Sequence, residues 1–262
     1  MPQQRDATFL DIRDLTLQYK TTAHLVTATH LVSFQAYEAD RLILLGPSGC
    51  GKSTILKAIG GFIKPVHGSI SLRGNEVKRP GADRAFVFQE FDQLLPWKTA
   101  LENVAFAITL TRKIPKKQAE EEARELLAKV NLSKFEDAYP HLLSGGMKQR
   151  VAIARCLGIK AELILMDEPF ASLDALTRRK MQEELLALWE ESRFTMVFVT
   201  HSIDEAVTLG SRIVLLSAHP GQVMAELNVN LSSLEERRSS PEAVALHNRI
   251  SRILFKDDAI SH

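Results

Sequence analysis

The segment Leu44–Thr54, LLGPSGCGKST, constrains this chain more than any other stretch. Ile43, Leu44 and Leu45 run into Gly46, and Gly46, Gly51, Lys52 and Ser53 then match G-x-x-x-x-G-K-S/T. A buried strand that breaks into a glycine turn and restarts as a helix aims a row of backbone N–H groups at one place, and the positive helix end adds to them. Such a concavity suits a chain of phosphates. In it Lys52 would reach the β- and γ-phosphates, and the Ser53 hydroxyl would hold Mg²⁺. Gly49 and Gly51 are expected at positive φ, because the backbone must bend there and approach the ligand closely. The helix itself is expected over Ser53–Ile59, stopped by Gly60-Gly61.

The remaining strand and helix signals supply a frame for that loop. Phe9, Ile12, Leu15, Leu17 and Tyr19, then Leu31, Val32 and Phe34, predict an antiparallel sheet with a polar turn around Lys20 to Ala23. Arg41–Leu45 reads as a buried parallel strand. Gly68–Leu72 with Gly74-Asn75 predicts a hairpin, and Ala85–Phe88 a strand ending at Gln89. From Phe91 to Gly158 the texture is helical. Pro115 starts one helix with Ala119, Ala123, Leu126, Leu127 and Val130 on one face. Ser144 caps another, Gly145–Leu157, with Gly158 expected at its end. Strands Leu163–Met166, Thr195–Thr200 and Arg212–Ser217 alternate with a helix around Thr177–Glu191. That alternation implies a parallel sheet flanked by helices, with ligands at the carboxyl ends of its strands. Val223–Val229 reads as an edge strand after the turn Pro220-Gly221, and Ser240-Pro241 opens a last helix carrying Val244, Leu246, Ile250 and Leu254.

Composition narrows the function classes. The 262 residues suffice for one large α/β domain or a core with a subdomain. Lysine and arginine number 33 against 32 acids, a net +1, which argues against wholesale nucleic-acid binding. The two cysteines, Cys50 and Cys156, form no disulfide framework and fit a reducing compartment. With no apolar leader and no run near a membrane span, the expectation is a soluble, cytosolic chain that reaches a membrane only through a partner.

Three further groups belong with the phosphate loop. Asp167 and Glu168, ahead of Pro169, follow the apolar strand Leu163–Met166. There the aspartate can enter the Mg²⁺ shell, and the glutamate can polarise an attacking water. Gln89 and His201 each end a strand, on the rim where phosphates should sit; His24, His30, His67, His219, His247 and His262 show no metal-ligand spacing and read as surface or packing residues. Leu143–Arg150, LSGGMKQR, is a second helix start with glycines and a hydroxyl, hence a second anion site. One nucleotide loop with two such helix starts suggests that the second serves a nucleotide held by another subunit.

With these motifs the chain resembles the ATP-binding subunits of ABC transporters over roughly residues 8–217. The resemblance implies an α/β fold: a P-loop NTPase (RecA-like) core with a mainly parallel sheet, an N-terminal antiparallel β subdomain and an inserted α-helical subdomain. The core and β subdomain are expected over about 1–90 and 159–225, the helical subdomain over about 91–158, and a C-terminal helical extension over about 230–262. It implies ATP with Mg²⁺, bound by Gly46, Pro47, Ser48, Gly49, Cys50, Gly51, Lys52, Ser53 and Thr54, with Tyr19 against the adenine. Ser53, Gln89 and Asp167 would serve the metal, Glu168 would be the general base, and His201 and Gln89 would sense the γ-phosphate. Ser144, Gly145 and Gly146 would act in trans, in a head-to-tail pair of identical subunits. Ala171-Ser172-Leu173-Asp174 stands where the family writes S-A-L-D, so Leu173 and Asp174 match better than Ala171, and Asp174 would join the nucleotide-binding residues.

The same resemblance implies partners. Gln93-Leu94-Leu95-Pro96-Trp97 lies where family members meet the permease, and Trp97 reads either as an exposed anchor or as a core residue. Gly81-Ala82-Asp83-Arg84 and Leu95-Pro96-Trp97 resemble importers of nitrate, sulfonates and taurine, a branch that also takes pyrimidines and aromatic compounds. Such a subunit works peripherally on the cytoplasmic face of the inner membrane, with a periplasmic binding protein selecting the solute. The alternatives are an exporter ATPase, or a soluble ABC ATPase acting on DNA or ribosomes; the neutral charge and the single cassette weigh against the second. Cys50, beside Lys52, reads as either a thiol of lowered pKa or a small packed residue.

Overall fold

A computed structural model describes residues 8–20, 25–89 and 93–255. The elements run β1 (Leu10–Lys20), β2 (Leu25–Ala36), β3 (Arg41–Leu45), α1 (Lys52–Ile59), β4 (His67–Leu72), β5 (Asn75–Glu76), β6 (Arg84–Val87), α2 (Ala100–Arg112), α3 (Lys116–Lys129), α4 (Gly145–Ile159), β7 (Leu163–Asp167), α5 (Ala175–Ser192), β8 (Thr195–Thr200), α6 (Ile203–Leu209), β9 (Arg212–Leu216), β10 (Val223–Asn228), α7 (Leu234–Ser239) and α8 (Pro241–Leu254). The chain separates into two compact units, Met1–Gly81 with Phe194–His262, and Ala82–Arg193.

In the first unit an antiparallel sheet runs β2-β1-β4-β5. Leu10, Ile12, Leu15 and Leu17 of β1 are all buried, which strict alternation would forbid between Ile12 and Leu15. Register shifts in that stretch, with Asp14 at φ 48° and Leu31 at φ 50°, return the apolar residues to the covered face. The polar turn expected at Lys20–Ala23 falls mostly outside the described residues. A second sheet places β3 between β8 and β9, parallel to both, with β10 antiparallel on the edge. Every residue of β3 and β8 is buried, the continuous apolar run expected of parallel strands covered on both faces.

The C-terminal helices α7 and α8 pack on α6. Arg237 is buried and donates through one guanidinium nitrogen to the carbonyls of Val207, Thr208 and Gly210 at 3.2, 3.3 and 2.6 Å. It thereby closes the C-terminal end of α6, whose last carbonyls have no partner within their own helix. On α8 the buried residues are Ala243 and Ile250, while Val244 is exposed.

The second unit pairs β6 and β7 in parallel and adds a helical layer, with α3 and α4 both packed on α2. Helix α3 buries Ala119, Ala123 and Leu127. The N-terminus of α2 is closed by a capping box between Thr99 and Glu102. Gly158 does not end α4, as the sequence suggested: the helix runs on to Ile159, and Lys160 takes the left-handed cap. A Cβ on Gly158 would lie 2.7 Å from Ile108 Cγ1, so this glycine serves the close approach of α2 to α4.

Candidate functional site

Helix α1 begins at Lys52, with Gly51 as its N-cap at φ 91° and no side chain closing its first turn, which also holds no acid. Its leading N–H groups thus have no side-chain cap, which suits an anion. Gly49 stands at φ 80°, so both glycines take the positive φ expected of them. Pro47, Ser48 and Gly49 are exposed, Gly51, Ser53 and Thr54 half-buried, and Gly46, Cys50 and Lys52 buried. The Lys52 ammonium donates to the carbonyls of Gly46 and Pro47, both at 2.8 Å, which bends the loop around its own cation.

The register of β3 on β8 pairs Leu45 with Thr200, so Gly46 and His201 leave the sheet side by side at its carboxyl edge. His201 is exposed, and its backbone is fixed on both sides. The Thr200 hydroxyl donates to Glu205 at 2.6 Å and accepts from the Ser202 N–H at 3.0 Å, while Ser202 caps α6. Tyr19 pairs with Val26 across β1 and β2 and is half exposed. Pro220-Gly221 forms the turn before β10, and the bare Cα of Gly221 lies against the loop, since a Cβ there would meet the Cys50 carbonyl at 2.1 Å. Nothing in the sequence around Gly221 announced that contact.

Cys50 is fully buried, and burial raises its thiol pKa against the opposing pull of Lys52. The alternative of a lowered pKa is corrected: desolvation outweighs the neighbouring ammonium.

In the second unit, Val87 on β6 pairs with Met166 on β7, so Gln89 and Glu168 each stand two residues beyond the last pair, at the same carboxyl end. Asp167 is the buried last residue of β7. Glu168 is half-buried at φ 42°, a conformation uncommon for a residue with a side chain. Gln89 is exposed; Phe91, at the start of the helical stretch, lies outside the described residues. Ser144 caps α4 by accepting from the Met147 N–H at 3.3 Å, with Gly145 and Gly146 opening the helix and no acid in its first turn.

Asp174 caps α5, accepting from the N–H groups of Leu176 and Thr177 at 3.1 and 3.0 Å. The Thr177 backbone N–H above all, and then its hydroxyl, holds the Asp174 carboxyl below the usual carboxylate range. A depressed folded pKa contributes stability above the unfolded pKa and loses it as pH falls through the folded one. Asp174→Asn keeps a neutral cap, so denaturant midpoints should favour the wild type at neutral pH, and the difference should vanish as the solution is acidified below the carboxylate range.

Trp97 is 69 % exposed, which decides between its two readings in favour of the surface. Its turn is held from beneath by Asn103, buried on α2. The Asn103 amide donates to the carbonyls of Leu95, Lys98 and Thr99 at 3.2, 3.1 and 3.0 Å, and its oxygen accepts from the Leu95 N–H at 2.8 Å. Sequence reasoning missed Asn103, whose only signal was a polar residue on the apolar face of a helix.

A parallel sheet that ends in a glycine loop and an uncapped helix defines the class of P-loop ATPases. The ABC transporter family model matches residues 29–171. Over 251 residues the chain is 45% identical to an ABC transporter ATP-binding protein of Methanocaldococcus jannaschii, covering 96% of this chain and 92% of that one. It is 41% identical to the taurine import ATP-binding protein TauB of Rhizobium johnstonii, covering 92% and 93%. To the bicarbonate transport ATP-binding protein CmpD of Synechococcus elongatus it is 42% identical, covering 84% and 79%. A dimeric ATP-binding cassette solved in a post-hydrolysis state with ADP and Pi superposes with a TM-score of 0.75, at 33% identity over 84% of this chain and 99% of the other. The chain belongs to the ABC transporter family and has the ABC ATPase fold: a RecA-like P-loop core with its antiparallel β and helical additions. It is an ATP-binding ATPase.

Proposed function

We propose that this ATPase energises an importer of a small anion, of the kind its taurine and bicarbonate relatives are named for, as a head-to-tail dimer on the cytoplasmic face of a membrane permease. The observation that carries the reading is the presence of two helix starts built with glycine and without an acid in the first turn, α1 behind Gly51 and α4 opening on Gly145-Gly146 behind Ser144. The first takes the phosphates of this chain's own nucleotide. The second, with Ser144, Gly145 and Gly146, takes the γ-phosphate of a nucleotide held by the partner, as a head-to-tail pair requires.

Within that arrangement Lys52 neutralises charge on the β- and γ-phosphates, Tyr19 lies against the adenine, and Asp174 caps the α5 helix beside the dimer seam. Glu168 orients and deprotonates the attacking water, and His201 donates to a γ-phosphate oxygen. Ser53, Gln89 and Asp167 offer hydroxyl, amide and carboxylate oxygens, a donor set that suits a hard cation. Among the described residues no group of three or more His, Cys, Asp or Glu side chains is placed to hold a metal by itself, in keeping with a Mg²⁺ bound largely through phosphate and water. When bound, that ion offsets the charge that develops on the phosphate oxygens.

Exposed Trp97, on its Asn103-braced turn, is the proposed anchor for the permease. In this reading the permease supplies the membrane span and a periplasmic binding protein the solute; no helix among the described residues is long and apolar enough to cross a membrane. Affinity purification from native membranes tests this reading. A membrane permease should accompany the wild type and be depleted with Trp97→Ala; recovery of ribosomes or nucleic acid in its place would contradict it.

A further inference from the structure

Gln93 carries a set of hydrogen bonds that no motif of the sequence explains. Its amide nitrogen donates to the Phe88 carbonyl at 3.0 Å, and its amide oxygen accepts from the Phe88 N–H at 3.1 Å. A side-chain amide thus pairs with both polar groups of the residue just before Gln89, as a neighbouring strand would. The same nitrogen donates at 3.3 Å to the oxygen of Gln149, a fully buried side chain on α4. Arg155, a turn and a half further along α4, donates to the Gln93 backbone carbonyl at 2.7 Å. Among the described residues the Gln149 amide nitrogen has no partner, and its amide oxygen accepts from Gln93, a bond that helps hold this buried side chain in place.

We infer that Gln93 is a positioning residue: it fastens the backbone that presents Gln89 to the helix that begins at Ser144, so that the two phosphate-facing groups of this unit move as one body. The inference rests on the proposed roles of Gln89 and Ser144 and adds the link between them. A separate mobile Gln89 would need only the end of β6 to hold it. Here the end of β6, besides its pairing with β7, is held by the amide of Gln93, a residue secured to α4 at two points, its amide to Gln149 and its backbone carbonyl to Arg155. Gln93 touches no phosphate in this scheme and acts only by setting where Gln89 stands relative to α4.

A cycle of variants on the full chain, read by steady-state ATPase and by equilibrium binding of a fluorescent ATP analogue, tests it. Gln93→Ala should lower kcat about tenfold, in line with the penalty for a slightly misplaced group, and leave nucleotide affinity within twofold. Gln149→Met, which removes the partner amide at similar volume, should give the same split. Because Gln93 works through Gln89, adding Gln93→Ala to Gln89→Ala should cost little beyond Gln89→Ala alone. Independent, multiplying losses would overturn the link, as would a Gln93→Ala enzyme within threefold of wild type while Gln89→Ala is impaired. Wild-type turnover in Gln89→Ala itself would instead remove the role of Gln89 on which the inference stands, and the inference with it.

Discussion

Replacing Glu168 by glutamine is expected to lower ATP turnover by about 10²- to 10⁴-fold, the usual range for loss of a general base, while ATP still binds. The two side chains have nearly the same shape, so the substitution removes the base and little else. The backbone supports the assignment. Glu168 follows the buried strand β7 and is held at φ 42°, with its carbonyl accepting from the Ala171 N–H at 3.1 Å. A non-glycine residue in that region costs free energy, and proteins tend to keep such residues where the side chain must point one way. Steady-state turnover within threefold of wild type would remove Glu168 from the role.

Lys52→Ala should act at the other end of the reaction, on the nucleotide. Lys52 is 4 % exposed, and its ammonium holds two loop carbonyls. Its loss removes both the charge offered to the phosphates and the internal tie that curls the loop. A charge-assisted hydrogen bond is worth about 1.5–3 kcal/mol, so ATP affinity should fall about 10- to 100-fold. Titration with a fluorescent nucleotide measures this directly. Unchanged affinity would mean that the loop recognises phosphate through its backbone alone.

The glycine loop, β3, β8 and the strand β7 that ends at Asp167 were legible in the sequence because local chemistry dictates them. A run of buried aliphatics has few alternatives, and glycines at positive φ cannot be replaced without strain. What escaped the sequence depends on groups far apart in the chain. Arg237 closes a helix 27 to 30 residues earlier. Gly158 reads as a helix stop in a linear scan and is in truth a packing glycine against Ile108. Cys50 beside Lys52 suggests a reactive thiol until its burial is known, and burial then reverses the sign.

The composite site is tested most directly by mixing two inactive chains. Lys52→Ala spoils the phosphate loop and leaves α4 intact. Ser144→Asp keeps a good helix cap, since aspartate serves as well as serine there, but sets a carboxylate where the partner's γ-phosphate should lie. Each variant alone should hydrolyse ATP hardly at all. Mixed in equal amounts and allowed to exchange, half the dimers are mixed and each holds one intact site, so about one quarter of wild-type turnover should return. No recovery on mixing, with exchange of subunits verified, would mean that Lys52 and Ser144 serve the same nucleotide within one chain.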